Sequence, residues 1–128
     1  MKKVDWFSIK RSIKHWYQRR TRGWDDSDTW SLDNTLAKMI HPRLKRFREL
    51  TVTFPCCLAN DFEFDGPDDG YDKWLEILDE MIYAFNLIAN RWHNSEYDEI
   101  LFKGDSLEYD RVIQGLEYFK KYYLALWW

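Results

Sequence analysis

"YDKWLEILDEMIYAFNLIANRWH", residues 71–93, decides the fold class. Trp74, Ile77, Met81, Phe85, Ile88 and Trp92 recur at alternating three- and four-residue steps, and Leu78, Ile82 and Ala89 widen the stripe. That period places them on one face of an α-helix, which must be buried against other elements. The Asp69–Gly70 region supplies the cap expected before it.

Working outward, the same period returns three more times. Residues 4–20 place Trp6, Ile9, Ile13, Trp16 and Arg20 in register, with Phe7 and Tyr17 beside them and Lys10, Arg11, Lys14 and Arg19 elsewhere, until Gly23 breaks the pattern. Trp30, Asp33, Ala37, Ile40, Leu44 and Phe47 form a second stripe, preceded by Ser27 or Asp28 as cap. Pro42 lies inside it, removes a hydrogen bond to the Lys38 carbonyl, and predicts a kink or a split there. Tyr109, Val112, Leu116, Phe119, Tyr123 and Leu126 form the last stripe, opened by Asp105 with Glu108. Residues 95–104 add a short helical turn. Residues 51–70 lose the period and collect Pro, Gly, Asn and Asp, so a long ordered loop is expected, pinned by Phe54, Phe62 and Phe64. The expectation is an all-α, compact bundle of about four helices in a single domain, 1–128. The terminal "LALWW" is expected to pack on the body.

The aromatic content of 19% suits such a core, because each buried ring removes roughly 150–250 Å² from water. Charge is bipolar. Residues 1–50 carry 13 Lys or Arg against 6 Asp or Glu, and residues 51–128 carry 6 against 16, so +7 faces −10. The net −3 disfavours a nucleic-acid track without excluding it. Cys56 and Cys57 are adjacent, which excludes a disulfide framework. No run of about 18 apolar residues exists, so neither a membrane span nor a membrane partner is expected. The basic N-terminus lacks the apolar core expected of a signal peptide, so a cytoplasmic location is expected.

Candidate chemistry is sparse. The three histidines are far apart, there is no zinc-spaced set, and no cofactor is implied. Asp25, Asp26 and Asp28 suit a helix start, whereas Asp33 falls on an apolar stripe and calls for a partner such as Arg20 or Arg43. The N-terminal cations interleave with Trp6, Trp16, Tyr17 and Trp24. Cations neutralise phosphates while rings stack on bases, so a nucleotide-type ligand fits. The ligand site expected comprises Trp16, Arg20, Trp24, Asp33 and Arg43: two arginines for phosphate, indoles for stacking, Asp33 to orient an arginine. The same Trp and Arg residues suit a protein interface. The alternative is a magnesium-dependent hydrolase of the all-helical nucleotide pyrophosphohydrolase type, built on the Glu76–Asp79 pair.

"RGWDDSDTWSLDNTLAKMIHPRLKRF", "WLEILDEMIYAF" and "GLEYFKKYYLALWW" resemble a family of small helical proteins encoded by tailed bacteriophages. Trp30, Leu32, Asp33, Pro42, Arg43, Leu44, Trp74, Ile77, Leu78, Asp79, Met81 and Ile82 carry the likeness. Trp128 departs from it, standing where such chains commonly end in an acidic residue. The resemblance implies a viral accessory protein in the host cytoplasm and assigns no active site. The expected function is therefore non-enzymatic binding. Either a host protein is occupied or a nucleotide-type defence signal is sequestered, with homo-oligomerisation left open.

Overall fold

The computed structural model describes Lys3 and residues 5–127. The expected helix start at Val4 and the departure at Trp128 lie outside them. Five α-helices are present, and no strand occurs among the described residues: α1 Trp6–Arg22, α2 Leu32–Leu50, α3 Pro67–Asn90, α4 Ser95–Lys103 and α5 Leu107–Tyr122. Short 3-10 turns at Asp26–Thr29, Cys56–Asn60, Arg91–His93 and Tyr123–Ala125 punctuate them. The all-helical class holds, with one helix more than about four, because "SEYDEILFK" forms a full nine-residue helix. Asn94 caps it by accepting from the Glu96 N–H, and Gly104 ends it in the left-handed region.

Within the span read as one domain, the chain divides into two units, Met1–Thr35 and Leu36–Trp128. The boundary falls after the first turn of α2.

In the larger unit the stripe of α3 is the centre of the core. Trp74, Ile77, Leu78 and Met81 are fully buried, together with Ala37 and Leu44 of α2, Leu58 and Tyr122. Trp92 is the exception. It lies past the helix end and is exposed, so the stripe stops at Ala89. Helix α3 starts at Pro67 rather than Tyr71: Gly66 takes the cap position and Pro67 the first turn, where its missing N–H costs nothing. A second cluster, Ala84, Leu87 and Val112, joins α3, α4 and α5 through Tyr97, Leu101 and Leu116.

The loop ahead of α3 is pinned as its phenylalanines predict, with Phe54, Phe62 and Phe64 packed on the core. Gly70 admits the Phe54 ring, which lies where a Cβ would stand, 2.4 Å from it. "TVTF" forms no strand; the Tyr71 hydroxyl donates instead to the Thr51 carbonyl at 3.1 Å. Asp61 accepts from the Tyr122 hydroxyl at 2.8 Å and pairs with Lys121 at 2.9 Å, joining loop to α5. Burial, then that bond to Asp61, raises the Tyr122 phenol above its ordinary value, while Lys121 and Tyr122 hold Asp61 below its own.

Three local expectations are corrected. Helix α2 is a single helix through Pro42, which is exposed, so the split expected as one alternative does not occur. Lys38 is exposed as well, so solvent can take the carbonyl that proline leaves unbonded. The cap of α5 is Ser106, which accepts from the Tyr109 N–H at 3.1 Å, and not Asp105. The helix ends at Tyr122, and among the described residues of the terminal segment Ala125 and Leu126 pack on the core, while Leu124 and Trp127 are exposed. No described helix is long and apolar enough to cross a membrane.

Candidate functional site

The smaller unit holds the basic–aromatic sequence. Asp5 caps α1 by accepting from the Phe7 N–H at 3.1 Å. Gly23 ends it at φ 83°, a left-handed cap that a side chain would strain, and its N–H returns to the Arg19 carbonyl at 3.0 Å. The chain then doubles back along α1 as an acidic turn. Asp25, rather than Ser27 or Asp28, is the cap, and the element capped is the four-residue turn Asp26–Thr29 instead of α2. Asp25 accepts from the Ser27 N–H at 2.8 Å, and Asp28 accepts from the Asp25 N–H at 3.0 Å.

This turn answers part of the charge on α1. Asp26 pairs with Lys14 at 2.9 Å and with Arg22 at 2.8 Å, and its N–H donates to the Gln18 side chain at 2.9 Å. Arg19 bonds Asp25 and reaches Asp28 at 3.3 Å. His15 lies edge-on to Trp30 with ring centroids 5.8 Å apart. Residues 11, 14, 15, 18, 19 and 22 of α1 thus share the side that faces the turn.

Both aspartates are held below the ordinary carboxylate value of 3.8. The Ser27 side chain is the main cause at Asp25, and Gln18 with Lys14 at Asp26. Because the folded values are lowered, their contribution is complete above 3.8 and is lost as pH falls through the lowered values. Nuclear magnetic resonance should show the bond from the Asp26 N–H to the Gln18 side chain persisting from neutral pH down to about 3.8 and loosening below it. Loosening that began well above that value would reject these carboxylates as the clasp.

Between α1 and the turn lies a groove of about 440 Å³ lined by Phe7, Lys10, Arg11, Lys14, His15, Asp26 and Trp30. The Arg11 guanidinium lies 6.0 Å from the Trp30 ring. Lys10 and Arg11 meet no carboxylate among the described residues, so two cations are available to an anion here.

The five expected site residues are not one described constellation. Trp16 and Arg20 share the outer face of α1, both exposed, and Arg20 makes no ion pair among the described residues. Trp24 follows the cap with the Arg22 guanidinium stacked 3.7 Å over its ring. Asp33 is exposed in the first turn of α2, where the helix dipole favours it; the stripe is buried only from Ala37 onward. The expectation of a carboxylate buried on an apolar face is therefore overturned. Arg43 belongs to the larger unit and turns back on its own helix, donating to the Met39 carbonyl at 2.8 Å.

The alternative carboxylate pair is committed to cations. Glu76 pairs with Lys73 at 3.2 Å and Asp79 with Arg48 at 2.6 Å, while Glu80 takes both arms of Arg111 at 2.9 and 3.0 Å. Arg111 also stacks 3.8 Å over Tyr83. Among the described residues no three His, Cys, Asp or Glu side chains converge as metal ligands. Sequence spacing had located Phe7 and Trp30 only as stripe residues. Their lining of one groove depends on the Gly23 reversal, which no helical period encodes. No protein-family model matches the chain, and no curated protein or solved structure matches it.

Proposed function

We propose that the protein is a non-enzymatic accessory binding protein of a tailed phage, and that it sequesters a nucleotide-type ligand in the groove between α1 and its acidic turn. The carrying observation is that groove. Its volume of about 440 Å³ suits a small molecule. Trp30 and Phe7 line it with aromatic rings on which a base would stack, and Lys10 and Arg11 line it with charge for phosphate. Phage origin is supported by the sequence resemblance alone. A long polyanion fits less well, since Asp25, Asp26 and Asp28 border the same helix. Magnesium chemistry at Glu76 and Asp79 would have to displace Lys73 and Arg48 first.

Native mass spectrometry of protein from phage-infected cells, followed by calorimetry with the ligand it identifies, tests this. Trp30→Ala should cost about 1–3 kcal/mol of binding, the usual worth of one stacked base. Arg11→Gln should weaken a phosphorylated ligand more than its nucleoside. A chain that carries no small molecule, or a Trp30→Ala variant of unchanged affinity, would reject the groove.

A further inference from the structure

The face of α1 turned away from the acidic turn has no use in that reading. Trp6, Ile9, Ile13, Trp16, Tyr17 and Arg20 lie along it at helical spacing, and all are exposed: Trp6 70%, Ile13 61%, Trp16 66%, Tyr17 63%. No residue of α1 is buried. An apolar arc of this kind marks an interaction surface, because scattered exposed hydrophobics do not align on one side of one helix.

The expectation of no membrane partner rested on the lack of a spanning run, which does not bear on surface docking; we infer that this arc docks on an anionic lipid surface, with α1 lying flat in the headgroup layer. Charge placement points there. Helix α1 contains six Lys or Arg and no Asp or Glu. Lys14, Arg19 and Arg22 are answered by Asp25, Asp26 and Asp28 on the turn side. Lys10 borders the arc, Arg20 lies within it, and neither meets a carboxylate among the described residues. The unanswered charge near the arc therefore accompanies the apolar rings, a combination that matches a surface both greasy and negative.

The ring types distinguish lipid from other occupants. Indole and phenol rings have an apolar body and a polar tip, which settles at headgroup level, and three of the six arc residues are Trp or Tyr. Arg20 would need a buried carboxylate on the floor of a protein groove, whereas at a bilayer its stem lies along the apolar surface and its head reaches phosphate. A second copy packed arc to arc would confront Lys10 and Arg20 with their like-charged equivalents. Seventeen residues of helix span about 25 Å, and the six charges keep the helix in the surface plane instead of across it.

Flotation with vesicles tests the inference. The full chain should float with vesicles of equal phosphatidylcholine and phosphatidylglycerol and stay behind with phosphatidylcholine alone, and high salt should weaken the association. Ile13→Glu should lower partitioning at least about tenfold without changing helix content, since the side chain is exposed. Arg20→Gln, which lies outside the groove, should lower it about fivefold, whereas Lys120→Gln on α5 should not change it. No flotation with the anionic vesicles would overturn the proposal, as would flotation insensitive to Ile13→Glu. A homodimer or a protein complex that shields Trp16 from acrylamide and persists beside those vesicles would overturn it too. Nucleotide binding in the groove is a separate readout, so either reading can fail alone.

Discussion

Trp74→Ala is expected to destabilise the larger unit by about 3–5 kcal/mol, the range for deleting a large buried aromatic. Trp74 is 1% exposed in the core cluster that also holds Ala37, Leu44 and Tyr122, and its ring meets that of Tyr122 edge to face at 5.6 Å. Removing it takes away the transfer energy of the indole and leaves a void that a close-packed interior closes only in part. Chemical denaturation followed by far-ultraviolet circular dichroism measures this without relying on the other seven tryptophans. The comparison is Trp92→Ala. Trp92 shares the sequence stripe, is 61% exposed, and should change stability by no more than about 0.5 kcal/mol. Equal effects at the two positions would contradict this core.

Gly115→Ala should also destabilise, although alanine is the better helix former. A Cβ at position 115 would stand 2.3 Å from the Glu80 carbonyl oxygen and 2.7 Å from the Ala84 Cβ. Neither is the end of a flexible chain, so α3 and α5 must move apart. The gain in helix propensity is about 1 kcal/mol. Overpacking typically costs about 1–3 kcal/mol, and here the opposing atom is backbone, so the upper part of that range should apply and outweigh the gain. The Glu80–Arg111 pair crosses the same seam and would be stretched with it. A urea midpoint at or above that of the parent would show that the seam is looser than the structure has it.

Much of the fold was legible because burial in the larger unit follows the period. The α3 stripe from Trp74 to Ala89 is buried almost residue for residue, and the three loop phenylalanines pack as their apolar character demands. Caps were less legible. Asp105 was expected at α5 and Ser27 or Asp28 before the second stripe, and the backbone path selects the neighbouring Ser106 and Asp25 instead. Pro42 does not split α2, because a proline on the exposed side of a long helix need not end it.

The candidate site was legible in residue type and not in arrangement. Sequence alone determined an all-helical chain, a basic and aromatic N-terminal segment, and the absence of a zinc motif or disulfide framework. Tertiary structure decided which arginine meets which aspartate. It set Arg19 rather than Arg20 against the acidic turn, brought Trp30 back to Phe7 and Arg11, and turned Trp16 and Ile13 outward. The physical reason lies in the range of the signals. Helical period is local and survives in any single sequence, whereas the pairing of α1 with its turn depends on the left-handed reversal at Gly23 and on charges that many partners could have answered.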